Sequence, residues 1–197
     1  KIKKGDIRSM RKVLQLLSIV VVGIAVALML ISPEMVLIFG SPKYREAVYV
    51  IPPVAASVFF IFIYNILSMP QFYYEKTQFL MAASMAAAGA NVVLNFIFIR
   101  LFGYIAAGYT TLACYMLYSV GHYIVSKRIL VNEGIQENLM SPGFLLACSV
   151  FLIGASIICN LIFPYRILRY AILLASAGLV FWKKELLLKT MADIRKK

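Results

Sequence analysis

Long apolar runs broken by short polar punctuation set the first expectation for this chain. Six segments are continuous enough in Leu, Ile, Val, Phe and Ala to read as helices: Val13–Ser32, Val48–Tyr73, Phe79–Ile99, Ile105–Val125, Phe144–Phe163 and Ile167–Trp182. A helix crossing the hydrocarbon of a bilayer needs roughly 20 such residues, and five of the six reach that length or nearly so. The sixth is short and carries Arg169 in its first turn, so that guanidinium is expected to snorkel to the interface or to thin the bilayer. Pro70 lies near one end of the second run and Pro52-Pro53 near the other, where a bend is expected.

Composition sharpens the picture. The chain is 62% hydrophobic and 14% charged, with mean hydropathy +0.88. A soluble domain carries about a quarter charged residues to cover its surface, so this one is expected in a membrane. Net charge is +12, and its distribution argues for topology rather than nucleic-acid binding. With both ends cytoplasmic, the inner segments hold six, one, two and six Lys or Arg, fifteen in all, against five outside. That bias is the positive-inside pattern. The expected fold is therefore all-α: a polytopic membrane protein of six transmembrane helices, with sequential antiparallel neighbours.

Residues 1–130 read as a transmembrane bundle of four helices. Residues 131–142 form a cytoplasmic loop, and residues 143–197 an additional helical pair ending in a basic, amphipathic cytoplasmic tail, "KKELLLKTMADIRKK". The opening "KIKKGDIRSMRK" reads as an internal segment of a longer protein. Cys148 and Cys159 are eleven residues apart on one run, about 16 Å along a helix and too far for a disulfide. All eight acids fall outside the middles of the runs. No carboxylate pair or His/Cys cluster there suits acid–base or metal chemistry, so neither enzyme activity nor a metal or cofactor is expected.

Polar residues inside the runs are sparse and ordered. At 100° per residue, Ser84, Ala88, Asn91 and Asn95 share an arc of about 60°, as do Thr111, Tyr115, Tyr118 and His122. Ser57, Tyr64, Ser68 and Gln71 form a third stripe, with Asn65 on its shoulder. Polar groups facing lipid go unsatisfied, so the stripes are expected to face one another or a watery cavity. Two readings stay open. The stripes are glue between helices, at roughly 0.6 kcal/mol per bond, or they line a pathway. His122, near a run end, is also expected at the membrane interface, and Tyr73, Tyr74, Tyr104 and Trp182 are belt aromatics.

The strings "PEMVLIFGSPKYREAVYVIPPVAAS" from Pro33 and "GANVVLNFIFIRLFGYIAAGYTTLACYMLYS" from Gly89 carry a resemblance. A proline and then Phe-Gly after a helix, Asn-x-x-x-Asn in a later helix, Arg-x-Phe-Gly and a small-residue turn occur in one order. In this combination the chain resembles the C-terminal half of the bacterial polysaccharide flippases, relatives of the MATE drug exporters. The likeness covers residues 1–130, and the last two runs match the extra helical pair that many members carry. Ile105–Gly108 has alanine where many members place glycine.

The resemblance implies helices nine to fourteen of a fourteen-helix transporter in the bacterial inner membrane, a MATE-like C-terminal lobe with its N-terminal bundle missing. It implies flipping of lipid-linked oligosaccharide by alternating access, with membrane lipids and the missing bundle as partners and no nucleic acid. The cavity is then lined by Tyr64, Asn65, Ser68, Gln71, Asn91, Asn95, Thr111, Tyr115, Tyr118 and His122. Rivals are an ion-coupled drug or metabolite exporter of the same fold, a membrane glycan-processing enzyme built around Glu34 and Glu46, and a non-transporting scaffold.

Overall fold

The computed structural model describes residues 4–182, with the side chains at the extreme ends of that range excepted. The expected basic, amphipathic tail lies outside the described residues. Among the described residues the fold is all-helical. Six α-helices follow one another: α1 (Lys4–Phe39), α2 (Ile51–Tyr73), α3 (Gln78–Phe102), α4 (Ala106–Asn132), α5 (Pro142–Ile162) and α6 (Arg166–Trp182). A 3-10 helix over Pro42–Tyr49 joins α1 to α2. Four segments are long and apolar enough to cross a membrane: Ser9–Phe39, Ile51–Tyr73, Gln78–Phe102 and Pro142–Ile162. This is a membrane-protein pattern. The other two α-helices fall outside that set for different reasons. The apolarity of α4 is diluted by its own polar stripe, and α6 has 17 residues.

The first helix extends beyond its apolar run at both ends, and at the C-terminal end it passes through Pro33. Proline lacks the N–H that the Met29 carbonyl would accept from, which normally weakens a helix there. The Ser32 hydroxyl donates to the Met29 carbonyl instead, at 2.8 Å, and the helix continues to Phe39. In α2, Pro52 and Pro53 sit in the first turn, where the missing N–H has no partner to lose. That helix also runs on through Pro70 without a break. Gly103 ends α3 at φ 76°, a left-handed conformation open to glycine at little cost.

Packing departs from simple sequential pairing. The most extensive interface is between α2 and α4, which are not consecutive; α3 packs mainly on α4, and α5 docks on α1 and α2. Small residues on α4 allow this. A Cβ on Gly108 would come within 2.8 Å of Pro53 Cγ and 3.0 Å of the Val50 carbonyl oxygen. About three turns further on, Ser119 donates to the Phe60 carbonyl at 2.9 Å. The core centres on α2, where Ala56, Phe59, Ile63 and Leu67 are buried. Segment 133–141 contributes to it as well, through Ile135, Leu139 and Met140. Arg11 on α1 secures that segment by donating from Nε and Nη2 to the Asn138 carbonyl.

Candidate functional site: a polar and aromatic groove on three helices

Where α2, α3 and α4 meet, the structure leaves a groove of about 440 Å³. Tyr64 from α2, Ser84, Asn91 and Val92 from α3, and Thr111, Tyr115 and Tyr118 from α4 line it. The i, i+4 and i+7 spacing seen in the sequence explains the convergence, since those positions share a helix face.

Aromatic surfaces build one wall. The rings of Tyr64 and Tyr115 lie nearly parallel, 5° apart, with centroids separated by 6.3 Å. Tyr118 packs on Tyr64 at 4.6 Å with the planes tilted by 59°, and His122 meets Tyr118 edge-on at 4.5 Å. Amides and hydroxyls build the other wall. Asn91 Nδ2 donates to Thr111 Oγ1 at 3.5 Å, and Asn95 Nδ2 donates to Asn91 Oδ1 at 2.9 Å. Ser84 and Tyr118 share a hydroxyl–hydroxyl bond of 2.6 Å across α3 and α4.

The remaining sequence-selected residues sit elsewhere. Asn95 is held between helices by Thr110, which donates to its Oδ1, and it does not line the groove. Asn65 is exposed and turned back on its own helix, with Nδ2 bonded to the Ile61 carbonyl at 2.7 Å. Ser68 is buried and bonds the Asn65 carbonyl at 2.8 Å. Gln71 and His122 are both fully buried beneath the groove's aromatic floor, with Nε2 of Gln71 and Nδ1 of His122 at 2.7 Å. His122 is therefore packed between the helices and does not line the groove. With the Gln71 amide as donor, the ring proton resides on Nε2, which is buried and has no partner.

Two features escaped the sequence reading. Thr110 sits one residue off the α4 stripe yet is buried and bridges to Asn95. Its signal was weak because threonine bonds its own helix equally well; here it also reaches the Ala106 and Ala107 carbonyls. The larger correction concerns Arg169. It does not face water: it is 1% exposed. Its Nη1 and Nη2 donate to the Glu34 carboxylate at 2.8 and 2.9 Å, and Nη1 also donates to the Leu30 carbonyl at 2.9 Å. Read as a loop residue beyond Pro33, Glu34 looked free to join Glu46 in a catalytic pair. In the structure Glu34 belongs to α1, bound to Arg169 and Tyr170, while Glu46 accepts from Tyr104 at 3.0 Å.

Cys114, Cys148 and Cys159 are free thiols. Among the described residues no group of His, Cys, Asp and Glu is placed to hold a metal ion. No protein-family model matches the chain, and no curated protein or solved structure matches it.

Proposed function

We propose that this chain is a membrane-embedded lobe of a transporter that flips lipid-linked oligosaccharide across a bacterial inner membrane. In this reading all six α-helices span the bilayer with both termini cytoplasmic. The lobe is MATE-like and works against a second, N-terminal bundle of the same protein. The observation that carries the reading is the groove itself: stacked tyrosines opposite amides and hydroxyls, in a chain otherwise dominated by apolar surface.

The chemistry suits a sugar headgroup. Aromatic faces pack on the apolar faces of sugar rings, and Asn91, Thr111 and Ser84 offer donors and acceptors in place of water. A headgroup bearing hydroxyls cannot cross roughly 30 Å of hydrocarbon without such replacement. Rocking of one bundle against the other then changes the side to which the groove opens. The transport needs no covalent step, so the lobe is not an enzyme and requires no cofactor.

A second reading is favoured by specific bonds. Asn95 and Thr110 satisfy each other between α3 and α4, as glue does. We assign that pair to adhesion and the groove-lining set to transport. The test separates them. In the full-length protein, Tyr64→Leu with Tyr115→Leu should abolish polysaccharide export while the membrane level, read by immunoblot, stays that of wild type. Wild-type export from that double variant would overturn the assignment.

A further inference from the structure

Sharing no residue with the groove, a second pocket of about 330 Å³ is enclosed by α1, the 3-10 helix and α6. Arg45, Arg166 and Arg169 line it together with Glu34, Tyr170 and the apolar Val36, Leu37 and Val48. Three guanidiniums face one carboxylate there. Glu34 is fully engaged by Arg169 and by Tyr170, whose hydroxyl donates at 2.8 Å. The ion pair satisfies only Nη1 and Nη2 of Arg169: its Nε is buried with no hydrogen-bond partner. Arg45 and Arg166 are exposed and paired with no described carboxylate.

An excess of two positive charges beside a buried, unsatisfied N–H donor is an unusual thing to leave at a bilayer edge. Arginine forks match the paired oxygens of phosphate in geometry and in charge. The Val36, Leu37 and Val48 wall adds an apolar surface next to that anion-binding corner. The pocket lies where α1 gives way to the polar "SPKYRE" segment and α6 begins, the level at which headgroups meet hydrocarbon if α1 spans.

We propose that this pocket binds a phosphate monoester, held by Arg45 and Arg166 over the Arg169–Glu34 pair. The site is separate from the tyrosine groove and stands whether or not that groove transports sugar. Arg169 positions the floor of the pocket, and the two exposed arginines make the ligand contacts.

The test uses the purified full-length protein in a neutral detergent. Inorganic phosphate is titrated against chloride at matched ionic strength, and dihexanoyl phosphatidic acid against dihexanoyl phosphatidylcholine, with binding read by calorimetry. The comparison variant is Arg45→Gln with Arg166→Gln, which alters only exposed side chains and leaves the Arg169–Glu34 pair intact. Its unliganded Tm should equal that of wild type. Phosphatidic acid should bind the wild type and bind the variant about tenfold more weakly or worse, as loss of charge-assisted bonds requires. If inorganic phosphate behaves likewise, the phosphate group alone is recognised; if only the lipid binds, the site takes a lipid-borne phosphate. Absence of binding to either, or equal affinity in the variant, overturns the proposal.

Discussion

Two neighbouring stretches of the same apolar character, α2 and α3, end up in opposite situations. Thirteen of the residues of α2 are buried, whereas α3 has none buried along its 25 residues. Both are long and apolar enough to span a bilayer, so hydropathy does not separate them. In a membrane it cannot, because lipid tails are as apolar as leucine and drive no apolar face inward. What distinguishes the two is the small-residue fit of α4 against α2, at Gly108 and Ser119. On the α3 side of α4 the attachment is polar, through Ser84, Asn91 and Asn95. Helix α6 extends the contrast: among its described side chains the buried one is charged, Arg169.

If α6 is held by charge rather than by packing, its anchor should be the most sensitive point in the fold. Glu34→Ala leaves the Arg169 guanidinium buried beside an empty site, and should cost about 3 kcal/mol. Reversible unfolding in mixed micelles measures it, and a loss below half of that would place the hold on α6 elsewhere. Next in size is the α2–α4 fit. Gly108→Leu puts side-chain atoms against Pro53 and the Val50 carbonyl and should cost about 2 kcal/mol. Gly89→Leu on α3 meets nothing within 4 Å and should leave stability within about 0.5 kcal/mol of wild type. Equal effects at the two glycines would erase the distinction between the helices. Between the two glycines falls the polar attachment of α3. Asn95→Leu removes its bonds to Thr110 and Asn91, and about 0.6 kcal/mol should go with each.

Topology offers a sharper check on the same arrangement. Cysteines placed at the exposed Ser41 and Tyr165 should react with an impermeant probe from outside intact cells, and one at Asn132 should not. Labelling at Asn132 would reverse the proposed orientation.

Much of this was legible in the sequence for a specific reason. Apolar runs mark helices whatever surrounds them, so all six helices fall on the six runs. The stripes on α3 and α4 were also legible, because rare amides and tyrosines in hydrocarbon stand out and helical periodicity fixes their face. Helix ends were not. Pro33 reads as a terminus until the Ser32 hydroxyl is seen serving the Met29 carbonyl. That misplacement hid Glu34 from Arg169, since a loop carboxylate and a short helix's arginine 135 residues apart carry no local sign of pairing. The α2 stripe divided for a similar reason: Asn65 and Ser68 satisfy themselves on their own helix, an option that periodicity does not register. Choosing α4 over α3 as the main neighbour of α2 depended on Gly108, whose value lies in what it lets approach.

Water access to the groove is the central claim, because a lipid-filled groove cannot carry a sugar. In full-length protein lacking Cys114, Cys148 and Cys159, single cysteines at Asn91, Tyr115 and Val93 can be exposed to a charged methanethiosulfonate reagent. Asn91 and Tyr115 line the groove, whereas Val93, two residues from Asn91, is exposed on α3 outside that lining. The account predicts rapid modification at positions 91 and 115 and slow modification at 93. Equally slow reaction at all three would show the groove to be dry and contradict a transport pathway along it.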